Sequence, residues 1–177
     1  MAVDLKELNA LMDLVGANAE EQVLLQKLPG ISWTQLVEMV REMGECDEEV
    51  LDDVASGCWY GAFYFSKVLI GKPFKEKEGQ DLESAFELRA LRGVHFFTMD
   101  NSYESHFFGL ILFKDHLMLL QTYGGINEFQ IYLFDKETWI QGLDAALKGN
   151  MKQYQEIFQI PGPIGRKLGK GTLAHFD

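Results

Sequence analysis

Residues 57–70 read Gly57-Cys58-Trp59-Tyr60-Gly61-Ala62-Phe63-Tyr64-Phe65-Ser66-Lys67-Val68-Leu69-Ile70. A helix over this stretch is apolar on every side, and such a helix belongs in the middle of a domain. Gly71-Lys72-Pro73 ends it, because Gly caps a helix and Pro cannot continue one. The rest of the chain has to wrap this segment.

On the N-terminal side, Leu5, Leu8, Leu11, Met12 and Val15 recur with a 3.6-residue period, as do Trp33, Leu36, Val37, Met39 and Val40 after the N-cap candidate Ser32. Between them Ala19 to Leu28 reads as another helix, closed by Pro29-Gly30. On the C-terminal side, Asp81 to Leu91 reads as an amphipathic helix closed by Gly93. Val94 to Thr98, Phe107 to Phe113, Leu117 to Tyr123 and Phe129 to Phe134 are short apolar runs split by polar turns, hence antiparallel strands. Lys136 to Leu147 returns to helical spacing, Tyr154 to Ile160 is a further strand candidate, and Pro161 onward reads as a flexible, Gly-rich basic tail. Helices first and sheet second give an α+β domain rather than a doubly wound one.

The 177 residues suit a single domain, and an apolar content of 47% with 12% aromatic side chains allows a sizeable core. Within it the reading places a helical N-terminal subassembly at 1–45, a core at 46–160 and the tail at 161–177. Sixteen Lys and Arg against 27 Asp and Glu leave a net charge of −11, which repels a phosphate backbone, so nucleic acid is not an expected partner. Residues 1–60 alone hold 13 acidic and 3 basic side chains, so the excess acid marks a surface suited to a basic partner. No apolar run reaches the 18 or so residues of a membrane span, and Met1 to Ala10 lacks the pattern of a cleaved export signal. The expectation is a soluble protein made in the cytoplasm.

Cys46 and Cys58 are too few for a disulfide framework or a zinc site, and no metal or cofactor is expected. Cys58 opens the central helix, where unpaired amides and the positive end of the helix dipole favour a thiolate, and its own amide could donate to an oxyanion. The bland alternative is a small buried hydrophobe. A thiolate nucleophile needs a base, and of His95, His106, His116 and His175 the one best placed is His106, at the start of a strand. His175 lies in the tail, His116 in a turn, and His95 within a strand beside Phe96 and Phe97. A two-residue turn at Lys114-Asp115 makes paired positions sum to 229, which sets Gln121 opposite Phe108 and diagonal to His106 on the same face. Gln121 can then orient the imidazole.

At these residues the sequence resembles the papain-like cysteine hydrolases. Ser56-Gly57-Cys58-Trp59 with Ala62-Phe63 is similar to that family's nucleophile segment, and the order Cys, His, then a polar residue on the next strand is the family's order. The fifteen-residue spacing of His106 and Gln121 resembles the compact bacterial effector and toxin branch, whose cycle-inhibiting-factor deamidases use Gln as the third residue. The resemblance spans roughly residues 50–147. It implies a papain-like fold, with the Cys helix packed on an antiparallel sheet of about four or five strands, and a catalytic Cys58, His106 and Gln121 acting on an amide of a protein substrate as protease or glutamine deamidase. Export into a target cell would use a route without a signal peptide. Asp52 departs from the pattern, standing where the family carries an oxyanion-hole Gln. The competing reading is a non-enzymatic acidic module, an adaptor or toxin-neutralising protein that binds a basic surface. Gly165 to Thr172 fails phosphate-loop spacing, since Gly169-Lys170 precedes Gly171. The acids at 45–53 lack the ligand spacing of a calcium loop.

Overall fold

The computed structural model describes residues 5–44, 57–74, 80–100, 105–122, 129–150, 152 and 165–167. Within them the protein is α+β, with five α-helices and a central antiparallel sheet. The helices are α1 (Leu5–Val15), α2 (Ala19–Lys27), α3 (Trp33–Glu42), α4 (Cys58–Ile70) and α5 (Lys136–Leu147). Strands β2 (Gly93–Asp100), β3 (Ser105–Leu112), β4 (His116–Thr122) and β5 (Phe129–Asp135) form an antiparallel meander. Two short outer strands extend it: β1 (Gln80–Asp81) runs parallel to β2, and β6 (Gly165–Lys167) antiparallel to β5.

Helix α4 lies on one face of the sheet, with α2 and α3 packed against α4 and α1 against α2. Ile111, Phe113, Met118, Leu120, Phe129, Ile131 and Leu133 point into that layer, against Ala62, Phe65 and Leu69 of α4. Leu110, Leu112, Leu117, Leu119, Tyr132 and Phe134 point the other way, against Trp139, Ile140 and Leu143 of α5. Burial on both faces explains why the strands read as unbroken apolar runs instead of alternating. Each large side chain so buried contributes about 1.5–3 kcal/mol.

Local chemistry sets the element ends. Asn18 and Glu21 form a reciprocal capping box at α2, and the Ser32 hydroxyl caps α3. Gly71 ends α4 with φ of +74°, a left-handed conformation that favours Gly. Tyr64 ties α3 to α4: its hydroxyl donates to Gln35 Oε1 at 3.0 Å and accepts from the Ser32 amide at 3.2 Å. Burial pushes that hydroxyl's pKa up, and the Ser32 bond opposes the shift. Phe129 completes the joint, its ring 5.5 Å from Trp33, 5.6 Å from Tyr64 and 4.9 Å from Phe65. At the far end of the sheet the Lys136 ammonium is buried and donates to the carbonyls of Leu91 at 3.0 Å, Phe113 at 3.1 Å and Arg89 at 3.4 Å. Burial pushes its pKa down and the charge of Arg92 adds to that, while Asp115 and Glu21 oppose it.

Two expectations change. The segment after β1 is a 3₁₀ helix, Leu82–Arg89, and not an amphipathic α-helix. Its buried positions Leu82, Ala85 and Leu88 recur every third residue, which suits three residues per turn. Part of the expected flexible tail is strand β6, which pairs Lys167 with Tyr132 and satisfies backbone groups along the outer edge of β5. The strand expected at Tyr154 to Ile160 lies outside the described residues.

The approach of α4 to β4 leaves no room for a side chain at Gly61. A Cβ there would meet the Thr122 hydroxyl and stand 2.6 Å from Thr122 Cγ2. Gly61→Ala should therefore destabilise the protein by about 1–3 kcal/mol in urea unfolding. Thr122→Ala in the same chain should recover part of that loss, because the two side chains compete for one space.

Candidate active site

The β3–β4 hairpin turns at Lys114-Asp115, with the Phe113 amide donating to the His116 carbonyl at 2.9 Å. Its pairs Gly109 with Leu120, Leu110 with Leu119 and Ile111 with Met118 sum to 229, as the two-residue turn requires. Continued by two residues, that register makes His106 and Gln121 diagonal neighbours on one face. Their side chains meet, with His106 Nε2 2.8 Å from Gln121 Oε1. Gln121 Nε2 in turn donates to Gln130 Oε1 at 2.8 Å, across the β4–β5 pair in which the two glutamines stand opposite each other. All three are buried, with 4%, 0% and 9% exposure, so the hydrogen bonds are needed to offset their desolvation. The imidazole also stacks on Phe108, ring centres 5.6 Å apart.

Gln121 Nε2 donates to Gln130 and Gln121 Oε1 faces the ring, an arrangement that suits a ring tautomer with the hydrogen on Nε2. In the neutral ring Nδ1 is then the basic nitrogen. A base oriented through Nε2 and accepting through Nδ1 can take a proton from a thiol.

Cys58 is the first residue of α4 and is partly exposed. Gly57, its N-cap, supplies no side chain to the first turn. The Gly57 carbonyl accepts from Gly61 N at 3.2 Å and from Thr122 Oγ1 at 3.0 Å, which fixes the head of the helix to the residue that follows Gln121. The first turn of α4 and the His106–Gln121 pair thus share one end of the sheet. They do not share a face. Thr122, beneath Gly61, points toward α4, so the alternation of β4 turns Gln121 to the α5 side, where Phe108 beneath the imidazole also lies. The structure therefore brings His106 and Gln121 together and sets Cys58 at the head of the helix over the opposite face. Among the described β3–β4 pairs, Gly109 and Leu120 lie nearest this end, and His106 pairs with Met99 of β2.

Of the other histidines, His95 lies on β2 with Nε2 2.9 Å from the Arg92 carbonyl, and His116 opens β4 beside the turn. His175, Cys46, Asp52 and the acidic run at 45–53 lie outside the described residues. Among the described residues no group of three His, Cys, Asp or Glu side chains could hold a metal ion, and no helix is long and apolar enough to cross a membrane. Gln130 was not singled out from the sequence, although it is the one polar residue inside the apolar run Phe129 to Phe134. Neither protein-family models, curated proteins nor solved structures give a match to the chain.

Gln121→Leu should destabilise the fold by about 1–3 kcal/mol in denaturant melts, since it strips acceptor and donor from buried neighbours. Adding His106→Phe should restore part of the loss. The recovery should be incomplete, because Gln130 keeps a buried oxygen.

Proposed function

We propose that the protein is a cysteine-dependent amide hydrolase of papain-like arrangement, acting on a protein as protease or glutamine deamidase. The observation that carries this reading is the 2.8 Å bond between His106 and Gln121 at the end of the sheet to which the head of the Cys58 helix is fastened. A ring that donates from Nε2 to Gln121 is one whose Nδ1 could serve the sulfur. In the mechanism, His106 Nδ1 takes the thiol proton and the thiolate attacks the amide carbonyl carbon. The C–N bond breaks as His106 returns that proton to the leaving amine, or to ammonia where a glutamine side chain is the substrate. Water, deprotonated by His106, then attacks the thioester; the acid product leaves and the thiol is restored. The backbone amide of Cys58 is suited to hold the oxyanion. An effector or toxin delivered into another cell fits such an activity.

The reading requires Cys58 Sγ to meet His106 Nδ1 round the end of the β3–β4 pair, since the two side chains start from opposite faces. That same placement favours a second reading, an acidic interaction module in which the histidine–glutamine pair is structural. Glu7, Asp13, Glu20, Glu38 and Glu42 are all exposed on the helical layer, ready for a basic partner.

Iodoacetamide labelling across pH, read by peptide mass spectrometry, separates the two. The hydrolase reading expects Cys58 to react well below pH 8.5 and faster than Cys46, with His106→Ala slowing it roughly tenfold or more. Equally slow labelling of both cysteines, unchanged by His106→Ala, would leave only the interaction module.

A further inference from the structure

We infer that Thr122 is a positioning residue for Cys58: its buried hydroxyl, bonded to the carbonyl that precedes the cysteine, keeps the first turn of α4 formed and the thiol in place with it. The N-cap of this helix is Gly57, which has no side chain to accept from the first-turn amides. Glycine also loses more conformational freedom on ordering than any other residue, so such a helix start frays unless something outside it supplies an anchor. The Gly57 carbonyl receives two donors. One is the amide of Gly61 at 3.2 Å, the first bond of the helix, and the other is Thr122 Oγ1 at 3.0 Å. Thr122 ends β4 and is fully buried, so the anchor belongs to the sheet and not to the helix.

Packing does not ask for that hydroxyl. Met118 and Leu120, the preceding residues on the same face of β4, are apolar and buried in the α4 layer, and a Val at 122 would continue the row in nearly the same shape. Gly61 gives the hydroxyl its path, since a Cβ there would collide with Oγ1. The consequence for the cysteine is electrostatic and geometric. Only a formed first turn aligns the amides that favour a thiolate, and only a fixed one returns the sulfur to the same position. The effect on Cys58 reactivity needs no assumption about activity; its value to catalysis rests on the hydrolase reading.

The test uses the full-length chain. Amide exchange at Gly61, followed by ¹H–¹⁵N NMR, reports the bond that shares the Gly57 carbonyl, and iodoacetamide labelling across pH reports Cys58. Thr122→Val, or Thr122→Ala if the Val variant does not fold, should lower Gly61 protection about fivefold, the equivalent of one net hydrogen bond. The same variant should raise the midpoint of Cys58 labelling by about half a pH unit, as part of the helix-start stabilisation is lost. Thr122→Ser, which keeps the hydroxyl, should hold both near native. Tyr64→Phe, which removes a hydroxyl tie between α4 and α3 away from the helix head, should leave the Cys58 profile unchanged.

An unshifted Cys58 midpoint or unchanged Gly61 protection in Thr122→Val or Thr122→Ala overturns the inference. So does an equal shift of the midpoint in Thr122→Ser or in Tyr64→Phe, which would mark a general loosening of α4. His106→Ala is measured beside them. If it leaves Cys58 labelling untouched, the hydrolase reading fails while the Thr122 series still decides the inference; a slowed His106→Ala beside a flat Thr122 series does the reverse.

Discussion

A sheet covered on both faces has no solvent to offer the polar side chains of its strands, and in this protein that constraint arranges the interior. An unpaired buried polar group costs about 1–3 kcal/mol, enough to matter against a typical stability of roughly 5–15 kcal/mol. The buried polar residues of β3, β4 and β5 are accordingly not scattered. His106, Gln121, Thr122 and Gln130 gather at one end, each bonded to another of the group or to Gly57. At the opposite end Lys136 directs its donors to the carbonyls of three segments and joins the start of α5 to the β3–β4 turn and the loop before β2. The apolar middle lies between two polar clamps.

The head of α4 is held by the same end of the sheet. Gly61 lets the helix descend onto Thr122, and Thr122 uses its hydroxyl on the carbonyl just before Cys58. Position and orientation of the helix start are thus set by one strand residue, whose neighbour along the chain orients the imidazole. A shift in β4 would move both. Trp59, Tyr60 and Phe63 add aromatic contacts beside the thiol, with ring separations of 5.0 Å and 5.1 Å from Trp59, and stiffen the first turn further.

How much of this could be read from residues alone differs by level. The limits of α4 and α5 were legible because Gly71-Lys72-Pro73 ends an all-round apolar run and Lys136 to Leu147 carries helical spacing. The β3–β4 register was legible because a two-residue turn leaves only one pairing sum, and that sum put Gln121 within reach of His106. The 3₁₀ helix was missed because Leu82, Ala85 and Leu88 at spacing three look like one stripe of an α-helix. β6 was missed because three residues with two charges carry no strand pattern; they are strand only by adding to an edge. Alternation showed that His106 and Gln121 share a face, but not which face α4 would cover. With apolar residues on both faces of every strand, nothing in the pattern distinguishes them.

The burial of the His106–Gln121–Gln130 chain bears on function in its own right. A buried polar group set is seldom the most stable way to fill a core, and well-packed apolar residues of similar volume often do as well or better. Phe, Leu and Leu at these three positions would extend the surface already made by Phe108, Leu119 and Tyr132, with no desolvation to offset. Stability therefore does not account for a histidine in this place. Under the proposed hydrolase reading, a hydrogen-bonded run from two amides to an imidazole is what holds a ring for proton transfer. On that reading the cost of burying it is understood beside Cys58 at the head of α4. On the proposed hydrolase reading the separation of the two faces is the central mechanistic constraint, because thiol and ring start from opposite faces and would have to be joined round the end of the β3–β4 pair.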